Sequence, residues 1–110
     1  MIHKNRVYLL DSIYTLIEEN PSITPDILAD KLFISVSHLR KLVKQYYNIT
    51  LNECITKQRL HLAKQMLQNS SNSLSSVARR CGFGSKISFY RAFTKHEQIT
   101  PMVYRQNTPI

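Results

Sequence analysis

Two stretches of the chain gather side chains that attract anions and hold none that repel them. At helical spacing, residues 36–47 place Ser37, Arg40, Lys41, Lys44 and Gln45 on one side, and residues 86–96 place Lys86, Ile87, Tyr90, Arg91, Thr94 and Lys95 on one side. Neither stretch contains an Asp or Glu. A helix face that is merely solvated ordinarily mixes signs, because opposite charges at i,i+4 stabilise it slightly. Two acid-free cationic faces therefore suggest surfaces that meet phosphate, against the alternative of a solvated face that lacks acids by chance.

The elements that must hold these faces are legible in a weak internal repeat. Leu28-Ala29, Leu32 and Ile34 recur as Val77-Ala78, Cys81 and Phe83 at an offset of 49, and Leu39, Leu42 and Val43 recur as Phe89, Ala92 and Phe93 at an offset of 50. The second copy has one more residue in its turn. Each copy reads as helix, short turn, helix, with a small Ala where the helices cross, which is the helix-turn-helix layout. In the second helix of each copy the apolar side (Leu39, Leu42, Val43, Tyr46; Phe89, Ala92, Phe93) lies opposite the cations.

Capping chemistry sets the remaining boundaries. Apolar spacing from Val7 to Ile17 predicts a first helix over about 4–19, stopped by Asn20-Pro21. Thr24-Pro25-Asp26 opens a second, to about residue 32, and Ser35 caps a third over 36–47. Thr50 with Glu53 forms a capping box for a long fourth over 51–68, ended by Asn69-Ser70-Ser71-Asn72. Ser73 opens a fifth that runs to Cys81 and is broken by Gly82; Ser85 caps a sixth over 86–96, and Thr100-Pro101 starts a seventh. No stretch alternates with period two, so the class is all-α. On the fourth helix Leu51, Ile55, Leu60, Leu62, Ala63, Met66 and Leu67 span an arc wider than one partner needs. This predicts a linker, residues 49–70, between subdomains 1–48 and 71–110. Arg59 falls inside its apolar arc and is expected to be paired and structural.

Composition narrows the function classes. The chain has 110 residues, 15 Lys and Arg against 7 Asp and Glu, a net charge of +8 and an isoelectric point near 9.8. Residues 1–30 hold two cations against five carboxylates, a balance of −3, so the basic field belongs to residues 31–110, at +11. A large multidomain enzyme is excluded by length. Cys54 and Cys81 sit in apolar-periodic runs and read as buried thiols suited to a reducing compartment. No apolar run could span a bilayer and no secretory n- and h-region opens the chain, so a cytoplasmic, nucleoid-associated protein without membrane contact is expected. His3, His38, His61 and His96 lack metal-ligand spacing, and there is no Gly-rich phosphate loop and no Ser/His/acid or Cys/His set. The expectation is a non-enzyme with no cofactor, no metal and no small-molecule ligand in this segment.

Several of these residues also carry a family resemblance. Gly82-Phe83, Ser85, Phe89, Arg91-Ala92-Phe93, Lys95, Thr100-Pro101 and Tyr104-Arg105 resemble the second helix-turn-helix signature of the AraC/XylS family of bacterial transcription regulators. Arg59-Leu60, Ala63 and Leu67 are similar to its linker helix, and residues 29–42 to its first helix-turn-helix. The resemblance implies seven helices, two DNA-binding subdomains bridged by the fourth helix, and recognition helices three and six entering successive major-groove faces of double-stranded DNA. Three positions depart from the pattern. Phe33 stands where such turns often have Gly and is expected to take a geometry less permissive than glycine allows. Cys54 replaces a usual aromatic, and Glu97-Gln98 replaces a common Phe-Gly, which leaves the end of helix six open.

An α-helix fits the major groove, with residues near its N-terminus reaching base edges. In the third helix this selects Ser37, Arg40 and Lys41, with Val36 available to a thymine methyl and Lys44 farther along toward phosphate. In the sixth, the resemblance selects Lys86, Ile87, Ser88, Tyr90 and Arg91, with Lys95 beyond them on the cationic face. Arg40 and Arg91 stand out because a guanidinium can donate twice to guanine O6 and N7. The competing class is a protein-interaction module, in which the acidic first helix contacts RNA polymerase or another regulator.

Overall fold

The computed structural model describes residues 2–69 and 71–107, and the side chains of 8–68 and 71–107. Val7's side chain, His3's side chain and Ser70 lie outside these. Seven helices and no strand are present among the described residues: α1 (Ile2–Glu19), α2 (Pro25–Lys31), α3 (Val36–Tyr47), α4 (Leu51–Asn69), α5 (Leu74–Arg80), α6 (Lys86–Glu97) and α7 (Pro101–Asn107). The all-α class and the helix order agree with the sequence. The differences are at ends: α1 begins earlier, Leu32 and Cys81 act as C-caps of α2 and α5, and α6 keeps Glu97.

Local chemistry explains the boundaries. Thr24, Ser35, Ser73 and Ser85 each accept from the amide three residues on, at 3.0–3.3 Å, satisfying a donor that the helix cannot. The Thr50–Glu53 box is reciprocal: Thr50 N donates to Glu53 Oε1 and Glu53 N to Thr50 Oγ1, both at 3.1 Å. Those hydrogen bonds to Thr50 hold the Glu53 carboxyl below its usual pKa, helped by Lys44 and Lys57. Thr100 caps α7 through Val103 N at 3.1 Å.

The chain divides into two units, Met1–Gln58 and Arg59–Ile110, with the division inside α4. The first unit buries Ile13 and Ile17 of α1, Ile23, Leu28 and Ala29, Leu39 and Val43 of α3, and Leu51, Cys54 and Ile55 of α4. Gln58 is also buried, its amide donating to Glu18 Oε1 at 3.3 Å. A glutamine carries no apolar signal, so periodicity did not find it. The second unit buries Leu60, Ala63 and Leu67 with Leu74, Val77, Ala78, Cys81, Phe89 and Phe93. A run of rings, Phe83–Phe89–Phe93–Tyr104, with centroids 5.4–5.8 Å apart, carries this core to α7. Both cysteines are buried free thiols; burial raises the pKa of Cys54 and pushes Cys81 to about 11. Arg59 is half-buried, and burial lowers its pKa.

Candidate nucleic-acid interface

Each cationic face follows a turn that opens with the same hydrogen bonds in both units, the second turn carrying one more residue, Gly84, before its cap. After α2, Ile34 N donates to Ala29 O at 3.2 Å and Phe33 N to Asp30 O at 3.1 Å; after α5, Phe83 N donates to Ala78 O at 3.0 Å and Gly82 N to Arg79 O at 3.1 Å. This pair of bonds is the Schellman motif, which needs its C′ residue in the left-handed region. Gly82 supplies it at φ 91° and Phe33 at φ 61°. The expected less permissive geometry at Phe33 is therefore corrected. The hydrogen bonds that end α2 require the glycine-like conformation, and Phe33 accepts it with its ring 94% exposed.

From the turns the chain enters α3 and α6 through matching caps, Ser35 and Ser85, and leaves them through matching left-handed C-caps, Asn48 (φ 58°) and Gln98 (φ 65°). The Glu97-Gln98 departure resolves here. Glu97 pairs with Lys64 of α4 at 3.1 Å, and Gln98 returns its side-chain amide to Lys95 O at 3.0 Å. Between the caps, Leu39 and Val43 in α3 and Phe89 and Phe93 in α6 are fully buried. That burial fixes the phase of each helix and turns the opposite side outward.

Ser37, Arg40, Lys41 and Lys44 of α3 are exposed, as are Lys86, Ile87, Ser88, Tyr90, Arg91 and Lys95 of α6; Val36 is half-buried. None of the six cations on these faces is in a salt bridge among the described residues. Counted from the caps, Ser37 corresponds to Ile87, Arg40 to Tyr90 and Lys41 to Arg91, so the two faces are alike in sign and differ in chemistry. Lys86, Ile87, Tyr90 and Arg91 line an open concavity of about 380 Å³. One outward assignment needs correction: Thr94 is half-buried, with its hydroxyl oxygen out of solvent and without a hydrogen-bond partner. It lies one residue after buried Phe93, at the border of the apolar stripe.

Sequence reasoning passed over Arg79 and Arg80, both exposed in the last turn of α5 beside the second turn. It also gave no job to Tyr104-Arg105. Tyr104 accepts from Gln68 Nε2 at 3.0 Å and Arg105 Nε donates to Leu67 O at 3.3 Å, so these residues fasten α7 to the end of α4. Among the described residues no group of three or more His, Cys, Asp or Glu could hold a metal, and no helix is long and apolar enough to cross a membrane.

Two Schellman turns, two Ser-capped helices and two outward cationic faces define a double helix-turn-helix protein. A profile described as helix-turn-helix domain matches residues 28–107, and the chain belongs to that family, in its AraC type. It is 34% identical over 99 residues to the probable transcription factor PqrA of Proteus vulgaris, covering 90% of this chain and 81% of PqrA. It is 34% identical over 79 residues to the regulatory protein PocR of Salmonella typhimurium, covering 72% of this chain and 26% of PocR. Among solved structures, a transcriptional regulator from Chromobacterium violaceum described as an AraC-type DNA-binding domain-containing protein superposes with a TM-score of 0.83 at 28% identity, covering 94% of each chain.

Proposed function

We propose that the chain binds double-stranded DNA sequence-specifically and thereby regulates transcription, with α3 and α6 as recognition helices in successive major-groove faces and α4 as the linker between their subdomains. The observation that carries this reading is the pair of exposed, acid-free faces at equivalent places in the two helix-turn-helix units. Ser37, Arg40 and Lys41 read bases from α3, Val36 is available to a thymine methyl, and Lys44 grips phosphate. Lys86, Ile87, Ser88, Tyr90 and Arg91 read from α6, and Lys95 grips phosphate. Because the two faces differ residue by residue, the site they read is asymmetric. Successive groove faces lie about 34 Å apart along the duplex, and the bound duplex is expected to bend.

Selection of bound duplexes from a random pool, followed by a salt titration of the selected site, tests this. The reading expects an asymmetric consensus and an affinity that falls linearly in log–log form as salt rises, through release of counterions from contacted phosphates. No consensus, or an affinity indifferent to salt, would contradict it. A second reading, contact with RNA polymerase through the acidic N-terminal region, is favoured by one observation. An open groove of about 440 Å³ in the first unit is lined by Tyr8 and Leu9 of α1, Leu32 and Ile34 of the turn, and His38, Leu42 and Tyr46 of α3.

A further inference from the structure

Ile87 is 64% exposed in the first turn of α6, on a face whose other members are mostly charged or polar. Burial of Phe89 and Phe93 fixes the helix phase and leaves residue 87 outward. Tyr90 and Arg91, at i+3 and i+4, share its face, and with Lys86 they enclose the 380 Å³ concavity. Two apolar and two cationic side chains thus converge on one hollow with no carboxylate among them. α3 has no equivalent, since Ser37 holds the position of Ile87.

A hollow of this make-up suits an occupant that is apolar at one point and anionic around it. The major-groove edge of DNA offers one apolar group, the C5 methyl of thymine, next to the O4 acceptor and between phosphates. We infer that Ile87 and Tyr90 receive a thymine methyl group, which makes Ile87 a specificity-determining residue of α6; this rests on the DNA-binding reading above. Lys86 and Arg91 then face the neighbouring acceptors and phosphates. The half-site under α6 contains a thymine that α6 detects by its methyl through an exposed side chain, whereas the corresponding apolar candidate of α3, Val36, is half-buried.

The test uses the selected duplex with each thymine replaced in turn by deoxyuridine, which removes only the methyl, and compares the full chain with its Ile87→Ala variant by fluorescence anisotropy. One position is expected to lose about fourfold in affinity, the value of one methyl-sized group withdrawn from water. In Ile87→Ala, the preference for thymine over deoxyuridine at that position is expected to diminish, Tyr90 alone remaining to cover the methyl. Ile87 is exposed, so unchanged helical circular dichroism is expected and is checked alongside. Deoxyuridine that is neutral everywhere, or a thymine preference that survives undiminished in Ile87→Ala, would overturn the inference while leaving DNA binding intact. Failure to select any duplex would remove the DNA reading and this refinement with it.

Discussion

At the scale of single residues, Phe33 shows how a turn can override side-chain preference. The Schellman bonds at the end of α2 demand a left-handed residue, and the chain meets the demand with a phenylalanine whose exposed ring gains no packing in return. A left-handed L-residue costs roughly 1–2 kcal/mol, part of which glycine returns as extra unfolded-state entropy. Phe33→Gly should therefore stabilise the protein by about 1 kcal/mol, read by urea denaturation; a destabilised variant would show that Phe33 is held by contacts. Glu53 makes a pH-dependent contribution. Its folded pKa is lowered from 4.5, so the capping box contributes fully at neutral pH, weakens as the pH drops below that ordinary value, and is lost once the pH passes the lowered one. Glu53→Ala should accordingly lower the Tm at pH 7 and do so by a smaller margin at about pH 3. An equal margin at both would disprove the linkage.

At the scale of elements, stability and reading are divided between opposite sides of the same helix. Phe93→Ala should cost about 3–5 kcal/mol, because it deletes a fully buried ring from a small core, and should unfold the second unit. Ser85→Ala, which removes the cap of α6 and the hydrogen bond from the Ser85 hydroxyl to Ser88 Oγ at 3.0 Å, should cost about 1 kcal/mol in chemical denaturation. A stable Phe93→Ala protein would mean that the phase of α6 is wrong. That phase was legible in the sequence because Leu39, Val43, Phe89 and Phe93 recur at helical spacing and because Ser, Thr or Pro marks the start of each helix from α2 to α7. The outward placement of ten of the eleven candidate residues follows from it, Val36 being half-buried. What stayed hidden depended on hydrogen bonding or on ring-to-ring contact. Gln58 is buried for its bond to Glu18, Tyr104 and Arg105 fasten α7 to α4, and the conformation of Phe33 is dictated by amides five and three residues from their acceptors. Thr94 was misjudged because it sits at the edge of the stripe, where a wheel cannot separate half-buried from exposed.

At the scale of the whole molecule, the charge is partitioned unevenly: −3 in the first thirty residues and +11 in the rest, which hold both α3 and α6. The chain covers most of PqrA and about a quarter of PocR, so the same double helix-turn-helix accounts for very different shares of its relatives. The central claim is that both cationic faces touch the duplex together, and the most direct measurement compares Arg40→Ala and Arg91→Ala with the parent chain on the selected site and on a random duplex. Each substitution is expected to weaken specific binding by about 1–3 kcal/mol, with a smaller loss on random DNA and unaltered helical circular dichroism. Affinity for the selected site that stays at the parent value in both well-folded variants would contradict the claim.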